Sequence, residues 1–181
     1  MQNIDLICIG KMNVAYFAAG VEEYRKRLGG FCNFRIIELP ETALADKNAS
    51  DKQIAKALQK EADAILASVR KGAYLVALCV EGKQISSEEL AEMLAQRAGS
   101  GAGDIAFVIG SSHGLDDRVK QAAKARISMG RITLPHQLAR LVLTEQLYRA
   151  CTINAGMKYH KSPQKARAFA IRKGAGFTVL Y

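Results

Sequence analysis

Residues 105–125 read IAFVIGSSHGLDDRVKQAAKA, and this stretch decides the fold. Five apolar residues, Ile105 to Ile109, run straight into Gly110, Ser111, Ser112, His113 and Gly114, after which Asp116 to Ala125 has the composition of a helix. Strand, glycine-bearing loop, helix is the repeating unit of α/β proteins. Downstream, Ile127 to Met129 is a short strand and Gly130 to Leu134 a loop. Pro135, favoured in the first turn of a helix, opens a long helix to about Ile153. Upstream the alternation continues. Ile4 to Ile9, Phe34 to Leu39 and Tyr74 to Val80 read as strands, the last apolar nearly throughout, as expected when both faces are covered. Between them Val14 to Leu28 and Asp51 to Val69 carry apolar residues at helical spacing: Phe17, Val21, Tyr24 and Leu28 in the first, and Ile54, Ala57, Leu58, Ile65 and Leu66 in the second. Ser86 and Glu89 form a Ser-x-x-Glu capping box for a helix reaching about Arg97. The expected class is α/β with a mostly parallel sheet.

Composition narrows the function classes. The 181 residues suit one domain, and 49% apolar content is enough for a core, which excludes a disordered chain. Lys and Arg number 26 against 17 Asp and Glu, a formal charge of +9 that points to a polyanionic partner. Cys8, Cys32, Cys79 and Cys151 are far apart, with no Cys-x-x-Cys pair and no His at ligand spacing, so no metal site is expected. Reduced buried thiols, no signal peptide and no membrane-length apolar run imply a cytoplasmic protein.

The last helix is apolar over a wide arc: Leu138, Leu141, Val142 and Tyr148 lie on one side, and Leu143, Leu147 and Ala150 extend it. One sheet face cannot cover so broad a stripe, so the expected use is a homodimer interface, the alternative being a helix central to one core. Two glycine-centred loops, Gly110 to Gly114 and Gly130 to Leu134, each follow a strand. Both therefore lie at the carboxyl edge of the sheet, where open α/β folds bind ligands. Glu81-Gly82-Lys83 reads as a third loop at that edge. The three together imply a pocket built mostly from main chain, suited to an adenine and ribose. Neither a Walker motif nor a Gly-x-Gly-x-x-Gly follows a strand, which disfavours a nucleoside triphosphate or NAD.

Phe107-Val108-Ile109-Gly110, Gly114-Leu115, Ile132-Thr133-Leu134-Pro135-His136, Arg140-Leu141-Val142, Glu145 to Ala150 and Tyr159-His160-Lys161 together resemble the RlmH family of small SPOUT-class methyltransferases. The resemblance spans Met1 to about Lys161 as a single domain, with 162–181 a basic extension carrying Lys165, Arg167, Arg172 and Lys173. It implies a trefoil knot in the carboxyl half of the sheet and a homodimer. It also implies transfer of a methyl group from S-adenosylmethionine to N3 of a pseudouridine in large-subunit (23S) ribosomal RNA. Carried over by motif, the cofactor contacts fall on Leu78, Gly110, Met129, Gly130, Arg131, Ile132, Thr133 and Leu134.

Methylating an imide nitrogen requires a base for its proton or positive groups for the resulting anion. His160 or Tyr159 is expected to orient or deprotonate the nucleobase. Arg140 is a further catalytic candidate, and Arg149 and Lys161 are expected to contact RNA. Arg140 and Arg149 could equally pair with Glu145 or with acids across an interface. His136 has a capping role as its plainer reading, and His113 a solvated one. The chain departs from the family at Ser111, where relatives carry a second glycine, which predicts a strained or altered backbone, and at Cys79, where an acid is common. An RNA-binding assembly factor without catalysis and a transfer RNA methyltransferase remain the alternatives, the former separable by S-adenosylmethionine binding.

Overall fold

The computed structural model describes residues 1–44, 49–99, 101 and 103–161; the basic extension expected at 162–181 lies outside them. The elements alternate as β1 (Asn3–Ile9), α1 (Ala15–Leu28), β2 (Asn33–Leu39), α2 (Asp51–Ser68), β3 (Tyr74–Gln84), α3 (Ser87–Gly99), β4 (Ile105–Ile109), α4 (Asp117–Ala122), β5 (Ala125–Ser128) and α5 (His136–Asn154). Their ends follow local chemistry. Ser50 and Gln53 form a capping box at α2, and Ser86 and Glu89 form the expected one at α3, with Glu89 N–H donating to Ser86 Oγ and Ser86 N–H to the Glu89 carboxylate. The start of α1 has no side-chain cap of its own. Gln137 Oε1, 123 residues on, accepts from Val14 N–H at 3.1 Å and also from Asn13 N–H, tying α5 to α1.

The five strands form one sheet in the order β2-β1-β4-β3-β5, every pairing parallel. Strand side chains alternate between two cores. Ile4, Leu6, Cys8 and Phe107 pack under α1, α3 and α5 with Leu28, Leu94, Leu143 and Leu147. Ile7, Ile9, Val108 and Ala77 pack under α2 and α4 with Ala62, Ile65 and Val119. Burial on both faces is why these strands read as unbroken apolar runs. Asp5 is the exception in β1. It is buried and accepts hydrogen bonds from Arg35 of β2 and Arg70 beyond α2.

Three differences from the sequence reading bear on the site. The helix expected to reach Ala125 ends at Ala122, and β5 starts at Ala125. More consequentially, Glu81-Gly82-Lys83 is not a loop after a strand that ends at Val80, because β3 continues to Gln84. Leu78 and Lys83 both pair with Ile127, so residues 79–82 bulge out and return to the same partner. A Cβ at Gly82 would lie 2.5 Å from the Ile127 carbonyl carbon, so only glycine permits this crossing. Finally, of the two outcomes expected at Ser111, a strained or an altered backbone, strain is absent. No described non-glycine residue has positive φ, and Ser111 instead bridges to Gly114.

Candidate functional site

The parallel strands bring the bulge of β3 and the ends of β4 and β5 to one rim, where residues 78–81 and the segments after β4 and β5 form a cleft of about 790 Å³. The segment after β4 folds back on itself, with Gly114 N–H donating to Ser111 O at 2.9 Å. The fold-back is so close that a Cβ at Gly110 would lie 2.1 Å from Gly114 O, so Gly110 has no substitute. The segment after β5 is set by Ser128, whose Oγ donates to Gly130 O and accepts from Gly130 N–H. Leu78, Gly110, Met129, Gly130, Ile132, Thr133 and Leu134 all line the cleft; of the expected cofactor residues only Arg131, which is exposed, does not.

Apolar side chains from Leu78, Ile109, Leu115 and Leu134 meet the Thr133 and Ser128 hydroxyls and the main chain of the glycine segments. That mixture fits a flat heterocycle with a polyhydroxyl sugar, so the residues present suit S-adenosylmethionine. Beside them Lys120 donates to Glu81 at 2.6 Å. This pairing holds the Glu81 carboxyl below, and the Lys120 ammonium above, their ordinary values. Burial pushes the neighbouring Cys79 thiol up. Glu81 thus places a carboxylate on the cleft wall two residues after Cys79. His113 and His136 also line the cleft.

Tyr159 and His160 lie elsewhere in the chain, and neither they nor Arg149 line the cleft. They form a cluster with α5, α1 and the start of α3. Tyr159 Oη donates to Glu145 at 3.0 Å and lies 3.4 Å from Tyr24 Oη, and its ring packs edge-on against Tyr148. Burial, together with the hydrogen bonds to Tyr24 and Glu145, raises the Tyr159 phenol well above its usual range, so it stays protonated at neutral pH. His160 Nε2 is 2.9 Å from Glu88, and its Nδ1 is 3.4 Å from Arg149, whose guanidinium stacks over Tyr159 and pairs with Glu145. Lys161 is exposed.

Arg140 does not join either group at an accessible surface. It is 1% exposed, donating to Glu38 and to the Gly10 carbonyl beneath the ends of β1 and β2. Within one chain this disfavours contact with substrate and makes Arg140 a strut under the rim. Sequence reading placed Glu81 at this edge but gave its side chain no role, and it missed Lys120 and a buried acid, Glu61. The last had a signal, since Glu61 falls seven residues after Ile54 and four before Ile65 on the apolar stripe of α2, where a carboxylate is out of place. Among the described residues no group of three or more His, Cys, Asp or Glu could hold a metal, and no helix is long and apolar enough to cross a membrane.

Comparison with known proteins agrees with this geometry. A family model described as a predicted SPOUT methyltransferase matches residues 2–160. The chain is 48% identical over 158 residues to the ribosomal RNA large subunit methyltransferase H of Streptococcus uberis, covering 87% of this chain and 99% of that protein. It is 46% identical over 159 residues to the protein of the same name from Ligilactobacillus salivarius, covering 88% and 99%. A crystal structure of a probable methyltransferase from Bordetella pertussis superposes with a TM-score of 0.52 at 16% identity, over 82% of this chain and 93% of that one, a likeness of fold.

Proposed function

We propose that this chain, which belongs to the SPOUT methyltransferase family, methylates N3 of a pseudouridine in large-subunit ribosomal RNA, with S-adenosylmethionine as donor, as a cytoplasmic homodimer. The observation that carries the reading is the convergence of Leu78, Gly110, Met129, Gly130, Ile132, Thr133 and Leu134 on one cleft, from segments far apart in sequence. A trefoil knot in the carboxyl half of the sheet belongs to the same proposal.

When bound, S-adenosylmethionine supplies a methyl carbon made electrophilic by a sulfonium. The remaining tasks fall to the chain. The cleft excludes water and holds the donor by its main chain, while the proton on N3 needs an acceptor. Tyr159 keeps its own phenolic proton and has no capacity to accept another, so His160 accepts that of N3 at Nδ1, its Nε2–H being held by Glu88. Tyr159 orients the ring, Glu88 steadies His160, and Arg149 and Lys161 face RNA phosphate. Because the Tyr159–His160 cluster does not line its own chain's cleft, a second copy supplies it, which makes the dimer a condition of activity.

The test is transfer of labelled methyl to ribosomes purified from cells lacking the enzyme, followed by nucleoside analysis. Incorporation at a single pseudouridine of the large-subunit RNA is expected. No transfer, together with no binding of S-adenosylmethionine, would return the chain to the class of non-catalytic assembly factors.

A further inference from the structure

A second cavity, of about 300 Å³, adjoins the cleft and shares Ser111 and His113 with it. Its walls come from the segment after β2 and from α2. Ile54 and Leu58 are apolar, and Glu41 and Glu61 are acidic. Glu61 is only 4% exposed; one carboxylate oxygen accepts Thr42 N–H at 2.9 Å, and the other, Oε2, has no partner. A buried carboxylate oxygen without a donor is costly, and a charged one more so. Glu41 contributes a second negative charge, its Oε1 accepting from Ser112 Oγ at 3.4 Å, and no Lys or Arg is among the described lining residues. Such a cavity repels phosphate. Its chemistry asks for a cation that donates hydrogen bonds and carries a short aliphatic stem.

We infer that this cavity is a subsite for a primary ammonium, that of the methionyl end of the methyl donor, held by Glu61 with Glu41 beside it. The inference rests on the donor proposed above, whose adenosine occupies the cleft while its amino-acid arm passes Ser111 and His113. Calorimetric titration tests it with S-adenosylhomocysteine and its desamino analogue, which lacks only the ammonium. The parent protein is expected to prefer S-adenosylhomocysteine by about ten- to a hundredfold, the range of one charge-assisted hydrogen bond. In Glu61→Gln, which keeps the acceptor for Thr42, the two ligands should bind within about twofold of each other. Glu41→Gln, at an exposed position, should narrow the preference in the same direction by less.

Equal affinity of the two ligands for the parent protein overturns the subsite and leaves the donor reading intact. That comparison needs no variant to fold. A parent protein that binds neither ligand nor adenosine overturns the donor reading, and the subsite falls with it.

Discussion

At the scale of single residues, His160 and Tyr159 separate into different roles by their environment. Tyr159 keeps its proton at neutral pH and so does not serve as a base, and the Glu88 carboxylate 2.9 Å from His160 orients the imidazole. His160→Ala is therefore expected to lower methyl transfer by about a hundredfold or more. Its affinity for S-adenosylhomocysteine should stay within about twofold of the parent, since His160 does not line the cleft. Single-turnover transfer and calorimetry read the two effects separately, and parental turnover in the variant would remove His160 from the mechanism. Arg140 behaves differently. Arg140→Ala should cost about 2 kcal/mol of stability, read as a fall in Tm, because it strands the Gly10 carbonyl and removes the partner of Glu38, whose side chain can partly regain water. Motif spacing marked Arg140 without showing its burial, because its partners sit 102 and 130 residues away. Glu61, by contrast, was readable as an acid on an apolar stripe.

Secondary-structure elements were the most legible level, since burial on both faces makes β1, β4 and the first half of β3 short apolar runs and helical spacing marks the layers above them. The end of β3 was not legible. Glu81-Gly82-Lys83 has turn composition, and only the approach of Ile127 from a distant segment makes it part of a strand. Gly82 tests that crossing. Gly82→Ala should destabilise the fold by at least about 2 kcal/mol, because its Cβ meets backbone, which cannot move aside as a side chain would. Gly99→Ala, where a Cβ meets nothing within 4 Å, should fall within about 0.5 kcal/mol of the parent. Denaturant titration compares the two, and equal midpoints would argue against the close crossing. Asp5 links elements in another way. Burial works to raise its carboxyl, but hydrogen bonds from Arg70 and Arg35 prevail and hold it below the ordinary 3.8. A carboxyl lowered in the folded state adds stability that is full above its unfolded value and is lost as pH falls through the folded one. The Tm of the parent should thus fall on acidification below about pH 4, whereas Asp5→Asn should be less stable at neutral pH and flatter across that range.

For the whole molecule, composition and alternation revealed the layered class but not the strand order β2-β1-β4-β3-β5. That order depends on which edges meet, and periodicity carries no such information. Nor could spacing show that the residues of the proposed chemistry fall into two groups, the cleft on one side and the Tyr159–His160 cluster on the other. The wide apolar arc of α5 now has a physical counterpart. Leu143, Leu147 and Ala150 face the core, while Leu138, Leu141 and Val142 remain half-buried, Leu141 against Gly20 of α1, the helix on which Tyr16 is 71% exposed. If two copies pair through these faces and each completes the other's site, two inactive variants should rescue one another. His160→Ala lacks the base, and Thr133→Trp fills the cleft from an exposed position on its wall. Each alone should be inactive. Unfolded and refolded together in equal amounts, they form mixed dimers in which one site draws an intact cleft from one copy and an intact His160 from the other. Random pairing makes half the dimers mixed, each with one working site of two, so transfer should return to roughly a quarter of the parental rate. A site built within a single chain predicts no recovery, because every chain in the mixture carries one of the two defects.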